Sequence, residues 1–261
     1  MKGFLEEYGL IIVVVAVILL MLLFGKSGYA KSIQDAILGS ADHIVETGEN
    51  ITKKEVNVKA GDMLNIEGTK YLVLEQKESN HALVMTANSI GRKKFQSHYT
   101  DTGLRPDGQN ANTYEESDID KYLENEWYNS LSSTMKTAIQ TTSIKQASYA
   151  TGDDPDSKQE TGYNGQVYNT ISRHVFLPSV SEIGKVVNLK SKDKIRTFLN
   201  GTSIWIRDSN QGYAHSAECL IADYGGSLEN YGVNSDIYMR PAFVIDLSKV
   251  DYTETGHVDY K

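Results

Sequence analysis

The feature that most constrains this chain is a charge-free stretch close to its start. After Glu6, Glu7 and Tyr8 the sequence runs Gly9-Leu10-Ile11-Ile12-Val13-Val14-Val15-Ala16-Val17-Ile18-Leu19-Leu20-Met21-Leu22-Leu23-Phe24-Gly25 without a charged side chain. Such a run approaches the roughly 18–20 apolar residues that cross a bilayer as a helix, where all backbone polar groups bond internally. Beyond Lys26 the apolar character narrows to a stripe: Ile33, Ile37, Ala41, Ile44 and Val45 recur at helical spacing, with Lys31, Gln34, Asp35, Ser40, Asp42 and Glu46 opposite. The pattern predicts one long helix over 4–47, lipid-facing first and protein-facing later. Gly25 and Gly28 predict a bend, each costing about 1 kcal/mol relative to alanine inside a helix.

Two other readings of the same stretch stay open. One is a plain membrane anchor with Glu6 and Glu7 solvated outside it. The other is a cleaved secretory signal, because Gly28-Tyr29-Ala30 offers small residues where signal peptidase reads, giving a mature start at Lys31. Lys2 on one side faces Lys26 and Lys31 on the other, so positive charge does not fix the topology. The large polar remainder places the rest of the chain outside.

About 210 of the 261 residues follow the helix, enough for one sizeable domain with a full core or for two small ones. The formal charge of −8 argues against sequence-independent nucleic-acid binding, which needs clustered Lys and Arg. The short basic runs, Arg92-Lys93-Lys94 and Lys190 to Arg196, read as solvated faces. With Cys219 as the one cysteine, no intrachain disulfide or cysteine metal cage can form, and its apolar neighbours predict a buried thiol. Sixteen tyrosines against six phenylalanines suit recognition, since a tyrosine ring gives contact area while its hydroxyl stays wet.

Along the chain, residues 48–59 form a polar linker and 60–248 a globular head, with 249–261 a tail. Three short strands with tight turns open the head, at Met63–Ile66, Tyr71–Leu74 and Ala82–Met85. Glu115 to Thr141 is helical, with a break near Asn129-Ser130 and a cap at Ser132 or Ser133; Trp127 falls on its core face. In the polar loop from Ala150 to Val167, Asp153-Asp154-Pro155-Asp156 offers oxygen ligands for calcium without the spacing of a helix-loop-helix calcium site, so a solvated turn is the other reading. Val175 to Ser179 reads as a strand, and Ser179 or Ser181 caps a helix from Glu182 to Val187. Ile204 to Asp208, Glu218 to Ala222 and Ile237 to Leu247 read as strands, with Asp223 to Asn234 a hairpin loop. Arg207 and Arg240 are expected to pair with acidic neighbours such as Asp208 or Asp246.

Two sets of residues resemble known families. Glu7-Tyr8-Gly9-Leu10-Ile11, the apolar run and the later Ile37-Leu38-Gly39 resemble the tight-adherence (Flp-type) pilins of the type IV pilin superfamily. That resemblance implies a leader (1–3) cut by a prepilin peptidase after Gly3, a mature start at Phe4, and Glu7 and Tyr8 meeting identical or related subunits in an extracellular filament. Glu7 then stands fourth in the mature chain, where these pilins place it fifth. Further on, "GDMLNIEGTKYLVLEQ", "YEESDIDKYLENEWYNSLS", "FLPSVSEI", "IWIRDSN" and "MRPAFVIDL" resemble, in that order, a bacterial surface family of unknown function, number 6273 among such domains. The family is similar to the fold of C-type lectins and formylglycine-generating enzymes. The fold class expected is therefore α+β: a long N-terminal pilin-like hydrophobic helix, then a C-type-lectin-like head with a small twisted sheet and two or more helices.

Catalytic signals are missing. The histidines are scattered, no serine sits in a glycine-flanked elbow, and the cysteine pair of formylglycine-generating enzymes has only Cys219 to match it. The sugar-binding loop motifs of calcium-dependent lectins do not occur, and Trp205-Ile206-Arg207-Asp208 reads as a buried strand. The candidate site is the loop surface of Asp208, Asn210, Gln211, Tyr213, Tyr224, Asn230, Tyr231, Asn234 and Asp236, whose hydrogen-bonding groups and aromatic faces suit a glycan or protein ligand. The expected protein is non-enzymatic, inserted in a bacterial cell membrane with its head outside, assembled into or decorating a filament, and adhesive. The alternative is a singly anchored envelope protein with a structural or ligand-binding head and no filament role.

Overall fold

In the computed structural model the described residues are 56–78, 80–147, 168–209 and 213–261. They belong to the second of two units, Glu55–Lys261, into which the chain divides. The unit opens with β1 (Asp62–Ile66), β2 (Thr69–Gln76) and β3 (His81–Thr86) as an antiparallel meander. Tyr71 to Leu74 and Ala82 to Met85 are buried on both faces, which explains near-continuous apolar runs in place of strict alternation. The chain then passes through β4 (Arg92–Lys93) into a helical rod. That rod consists of α1 (Asp118–Lys121), a π-helical turn (Tyr122–Trp127) and α2 (Tyr128–Ser130), and extended Leu131 ends it.

Ser132 restarts the helix as α3 (Ser133–Ala138), its hydroxyl accepting from the Met135 amide at 3.0 Å. The strands β5 (Ile139–Gln140), β6 (Thr142–Ala147) and β7 (Tyr168–Arg173) follow, then α4 (Val180–Gly184), α5 (Lys192–Leu199), β8 (Ile204–Ser209) and β9 (Ser216–Ile221). The chain closes with β10 (Ser227–Gly232), β11 (Ile237–Tyr238), β12 (Ala242–Asp246) and β13 (Tyr252–His257). Among the described residues these strands make a six-stranded sheet in the order β13-β1-β2-β3-β12-β5, a five-stranded sheet β10-β9-β8-β11-β4, and the pair β6-β7.

The expected fold class is corrected by this architecture. The described chain is mostly sheet with a few short helices, not a small sheet dressed by helices, and no described helix is long and apolar enough to cross a membrane. The long apolar helix, and with it the pilin and transmembrane assignments, finds no counterpart there. The stretch 4–47 that carried them, with Gly3, Phe4, Glu7 and Tyr8, lies outside the described residues. The physical reason for the undercounted sheet is visible in the missed strands. β6 (TSIKQA), β7 (YNTISR), β10 (SLENYG) and β13 (YTETGH) are polar ribbons or sheet edges, held by backbone pairing with little apolar payload. Hydropathy barely marks such strands.

Buried charges tie the sequence motifs together. Ser179 and Glu182 form a capping box on α4: the Ser179 hydroxyl accepts from the Glu182 amide, and Glu182 Oε2 accepts from the Ser179 amide at 2.8 Å. The same Oε2 accepts from Arg207 Nη1 at 2.6 Å, and that guanidinium also donates to the carbonyls of Leu177 and Lys145, each at 3.0 Å. Among the described residues, then, Arg207 pairs with Glu182, where neighbouring Asp208 was the expected partner. Arg240 has no carboxylate partner among the described residues; it donates to the carbonyls of Thr86 and Phe198. Trp127 is half-buried, packing on the core through Phe243 at 6.2 Å between ring centroids.

Candidate functional site

Strand β8 supplies the frame of the site. Trp205 is fully buried, and its indole Nε1 donates to the Lys93 carbonyl at 2.9 Å, fastening β4 alongside β8. Its ring meets Phe95 edge to face at 5.6 Å, and Phe95 meets Tyr114 at 6.2 Å, so the floor beneath β4 is aromatic. Between β4 and β8 lies β11, antiparallel to the first and parallel to the second. This register places Arg92 opposite Tyr238 and Lys93 opposite Ile237. The Arg92 guanidinium lies 5.1 Å from the Tyr238 ring centroid, and its Nε donates to the Asp236 carbonyl at 3.0 Å. An arginine held by a carbonyl and an aromatic face keeps its charge uncancelled.

Two grooves adjoin along this arginine. The first, about 550 Å³, gathers Arg92, Lys93, Lys94 and Lys121 with Ser97, His98, Asp118, Glu126 and Asp236. The Lys93 ammonium lies 4.4 Å over the Tyr122 ring, at the start of the π-helical turn. Lys121 reaches Glu116 at 3.5 Å, an exposed contact of small worth. Asp118 is occupied by the Ser97 amide at 2.7 Å and by the Ser97 hydroxyl. The second groove, about 470 Å³, is lined by Tyr231, Tyr238, Ser203, Ser235, Asp223 and Asp236 among others. Arg92 and Asp236 line both, so a cationic trough and a tyrosine-bearing trough share one wall.

Of the residues the sequence singled out, the structure brings Tyr231 and Asp236 into one groove. Asn230 and Tyr231 sit on β10, which was expected as loop, opposite Glu218 and Ala217 of β9. Asn230 and Asn234 are exposed, as is Tyr213 at 59%. Asp208 is fully buried and accepts from the Val180 amide at 2.9 Å, so it serves the start of α4 and reaches no ligand surface. Asn210, Gln211, the side chain of Tyr224 and the calcium candidates Asp153, Asp154 and Asp156 lie outside the described residues. Sequence reasoning missed Arg92, Lys93 and Tyr238. The signal was the Arg92-Lys93-Lys94 run, read as a solvated face because nothing local shows that β11 will lie beside it.

Two groups that could carry chemistry are engaged elsewhere. Cys219 is buried in β9, and burial pushes its thiol well above the ordinary range, keeping it protonated. His174 and Glu124 touch at 2.6 Å, but Glu124 also accepts the His174 and Val175 amides, and the imidazole stacks on Tyr128 at 4.4 Å. That pair joins the π-helical turn to the segment after β7 and faces neither groove.

Compared with known proteins, the chain matches the model of the family described as Domain of unknown function (DUF6273) over residues 79–247, and it belongs to that family. The matched span holds both grooves' cations and tyrosines and the Glu182–Arg207 pair. No curated protein and no solved structure matches the chain.

Proposed function

We propose that this member of the DUF6273 family is a non-enzymatic recognition protein whose head, displayed outside a bacterial cell membrane, binds a polar partner, glycan or protein, across the shared wall of Arg92 and Asp236. The observation that carries this reading is the convergence of Tyr231 and Asp236, from β10 and the turn before β11, on one groove beside four cations. Tyrosine faces with carboxylate and hydroxyl neighbours suit sugar hydroxyls or polar peptide surface, and fixed cations orient a ligand more than they add affinity. Nucleic acid is not proposed as the partner, given the net charge of −8.

The test is to screen the full chain, with and without calcium, against glycan and protein arrays, then repeat any hit with Tyr231→Ala, Asp236→Ala and Arg92→Ala. The reading expects a ligand whose binding each change weakens about tenfold or more, the range of a central interface residue. A ligand indifferent to all of them would move the site elsewhere. No ligand at all would leave the head a structural part of the envelope.

A further inference from the structure

Arg240 lies in the Met239-Arg240-Pro241 segment between β11 and β12 and is 5% exposed. Its Nε donates to the Thr86 carbonyl at 2.8 Å and its Nη1 to the Phe198 carbonyl at 3.3 Å, with the guanidinium 4.5 Å over the Phe198 ring. No carboxylate among the described residues pairs with it, and Nη2 donates to none of them. Burial lowers its pKa to about 10, with the Tyr260 phenol opposing. The contrast is with Arg207, equally buried but supplied with Glu182 by the fold itself. A buried cation with no counter-charge is costly, and proteins retain one where something else neutralises it.

Arg240 also lines a cavity of about 390 Å³ between the six-stranded sheet and the end of α5. Lys70 stands in the same cavity, with Asn88, Ser89 and Thr202 as neutral hydrogen-bonding groups. Leu72, Phe198, Val258 and Tyr260 give it an apolar side, and no aspartate or glutamate among the described residues lines it. In a chain of net charge −8, two cations with no acid among the described lining residues set this cavity apart from the grooves beside Arg92, both of which hold aspartates. It shares no lining residue with the grooves beside Arg92.

We propose that this cavity is a second binding site, taking an organic carboxylate whose acid group meets the open guanidinium edge of Arg240 while Lys70 attracts it and Phe198 and Tyr260 hold its body. The arginine fork matches a carboxylate in plane, and the apolar wall favours an organic acid over a bare inorganic ion. The carboxylate can belong to a sugar acid or to a peptide C-terminus.

The experiment titrates the full chain at constant ionic strength with glucuronate, with the tripeptide Gly-Gly-Phe and with inorganic phosphate, reading the unfolding midpoint and binding heat. One or both carboxylates should raise the midpoint by about 5–10 °C at 100 times Kd. A glucuronate response alone supports the proposal and names a sugar acid; a tripeptide response alone supports it and names a peptide end. Arg240→Met should abolish the response, and Lys70→Ala, an exposed change, should weaken it about 2–5-fold. Tyr231→Ala should leave it intact, which separates this site from the proposed recognition groove. Silence from both carboxylates, an equal response to phosphate, or a response unchanged in Lys70→Ala and Arg240→Met would overturn it.

Discussion

Replacing Glu182 by alanine should be among the most damaging single changes in the described chain. Glu182 is the counter-charge to Arg207, whose side chain is fully buried, and their contact is 2.6 Å. Removing one partner of a buried pair typically costs about 3–5 kcal/mol, because the other charge stays desolvated. The change also leaves the Ser179 amide without its 2.8 Å acceptor, which adds roughly 1 kcal/mol as a lost cap. Arg207 keeps the carbonyls of Leu177 and Lys145, which offset part of the loss. A net cost of about 4 kcal/mol follows, or roughly 8–16 °C in the unfolding midpoint of a domain this size. The assay is urea denaturation of wild type, Glu182→Ala, Arg207→Met and the double Glu182→Ala/Arg207→Met. The double variant should lose about 2–3 kcal/mol less than the sum of the singles, though not nothing, since both carbonyls and the amide lose partners. A Glu182→Ala cost under about 1 kcal/mol, or strict additivity, would refute the claim that a desolvated pair joins α4 to β8.

Other outcomes can be checked on the same material. Gly226→Ala should destabilise by more than about 1–2 kcal/mol in chemical denaturation: its φ is +87° and an added Cβ would sit 2.5 Å from the Lys192 carbonyl oxygen and 2.8 Å from the Arg196 amide. Burial raises the Asp246 carboxyl, but bonds from the Ser248 hydroxyl and amide outweigh it and hold the group below its ordinary value of 3.8. A folded pKa below the unfolded one means stability present above about pH 4 and lost as pH falls further. Asp246→Asn should therefore cost about 1 kcal/mol in the urea midpoint at pH 7, and its gap to wild type should narrow steadily as the pH is taken below about 4. Cys219 should resist iodoacetamide at pH 8 in the folded chain and react once urea unfolds it, because burial holds the thiol protonated.

How much of this was legible in the chain depended on where apolar side chains carry the structure. Tyr71–Leu74 and Ala82–Met85 announced the meander because burial on both faces forces β-branched and aliphatic runs, and Met63–Ile66 because its buried Leu64 and Ile66 alternate with half-buried Met63 and Asn65. Ser132 and Ser179 announced the helix starts because a cap is a local bond. Strands β10 and β13 did not show, since Asn230, Tyr231, Thr253 and Glu254 take their places through backbone ladders, to the preceding strand β9 for β10 and to distant β1 for β13. Of the candidate groove, Tyr231 and Asp236 stood out in the sequence, one aromatic and one acidic in a stretch rich in glycine and asparagine. Its cationic half was not, because Arg92 meets Asp236 across 144 positions of sequence. Pairing of buried charges failed for the same reason: Arg207 pairs with Glu182, 25 residues back, where the aspartate next to it was expected.

The register that brings Asp62 opposite His257 has a mechanical consequence. The first and last strands of the unit are antiparallel neighbours, so a pull between Val56 and Lys261 acts on the one end where both begin to separate. Load then falls on one rung at a time, and the strands peel apart like a zipper instead of sharing the strain along their length. The bridge from Val187 to Tyr260 and the Asn188 amide bond to the Tyr260 carbonyl at 2.8 Å form the catch that must slip first.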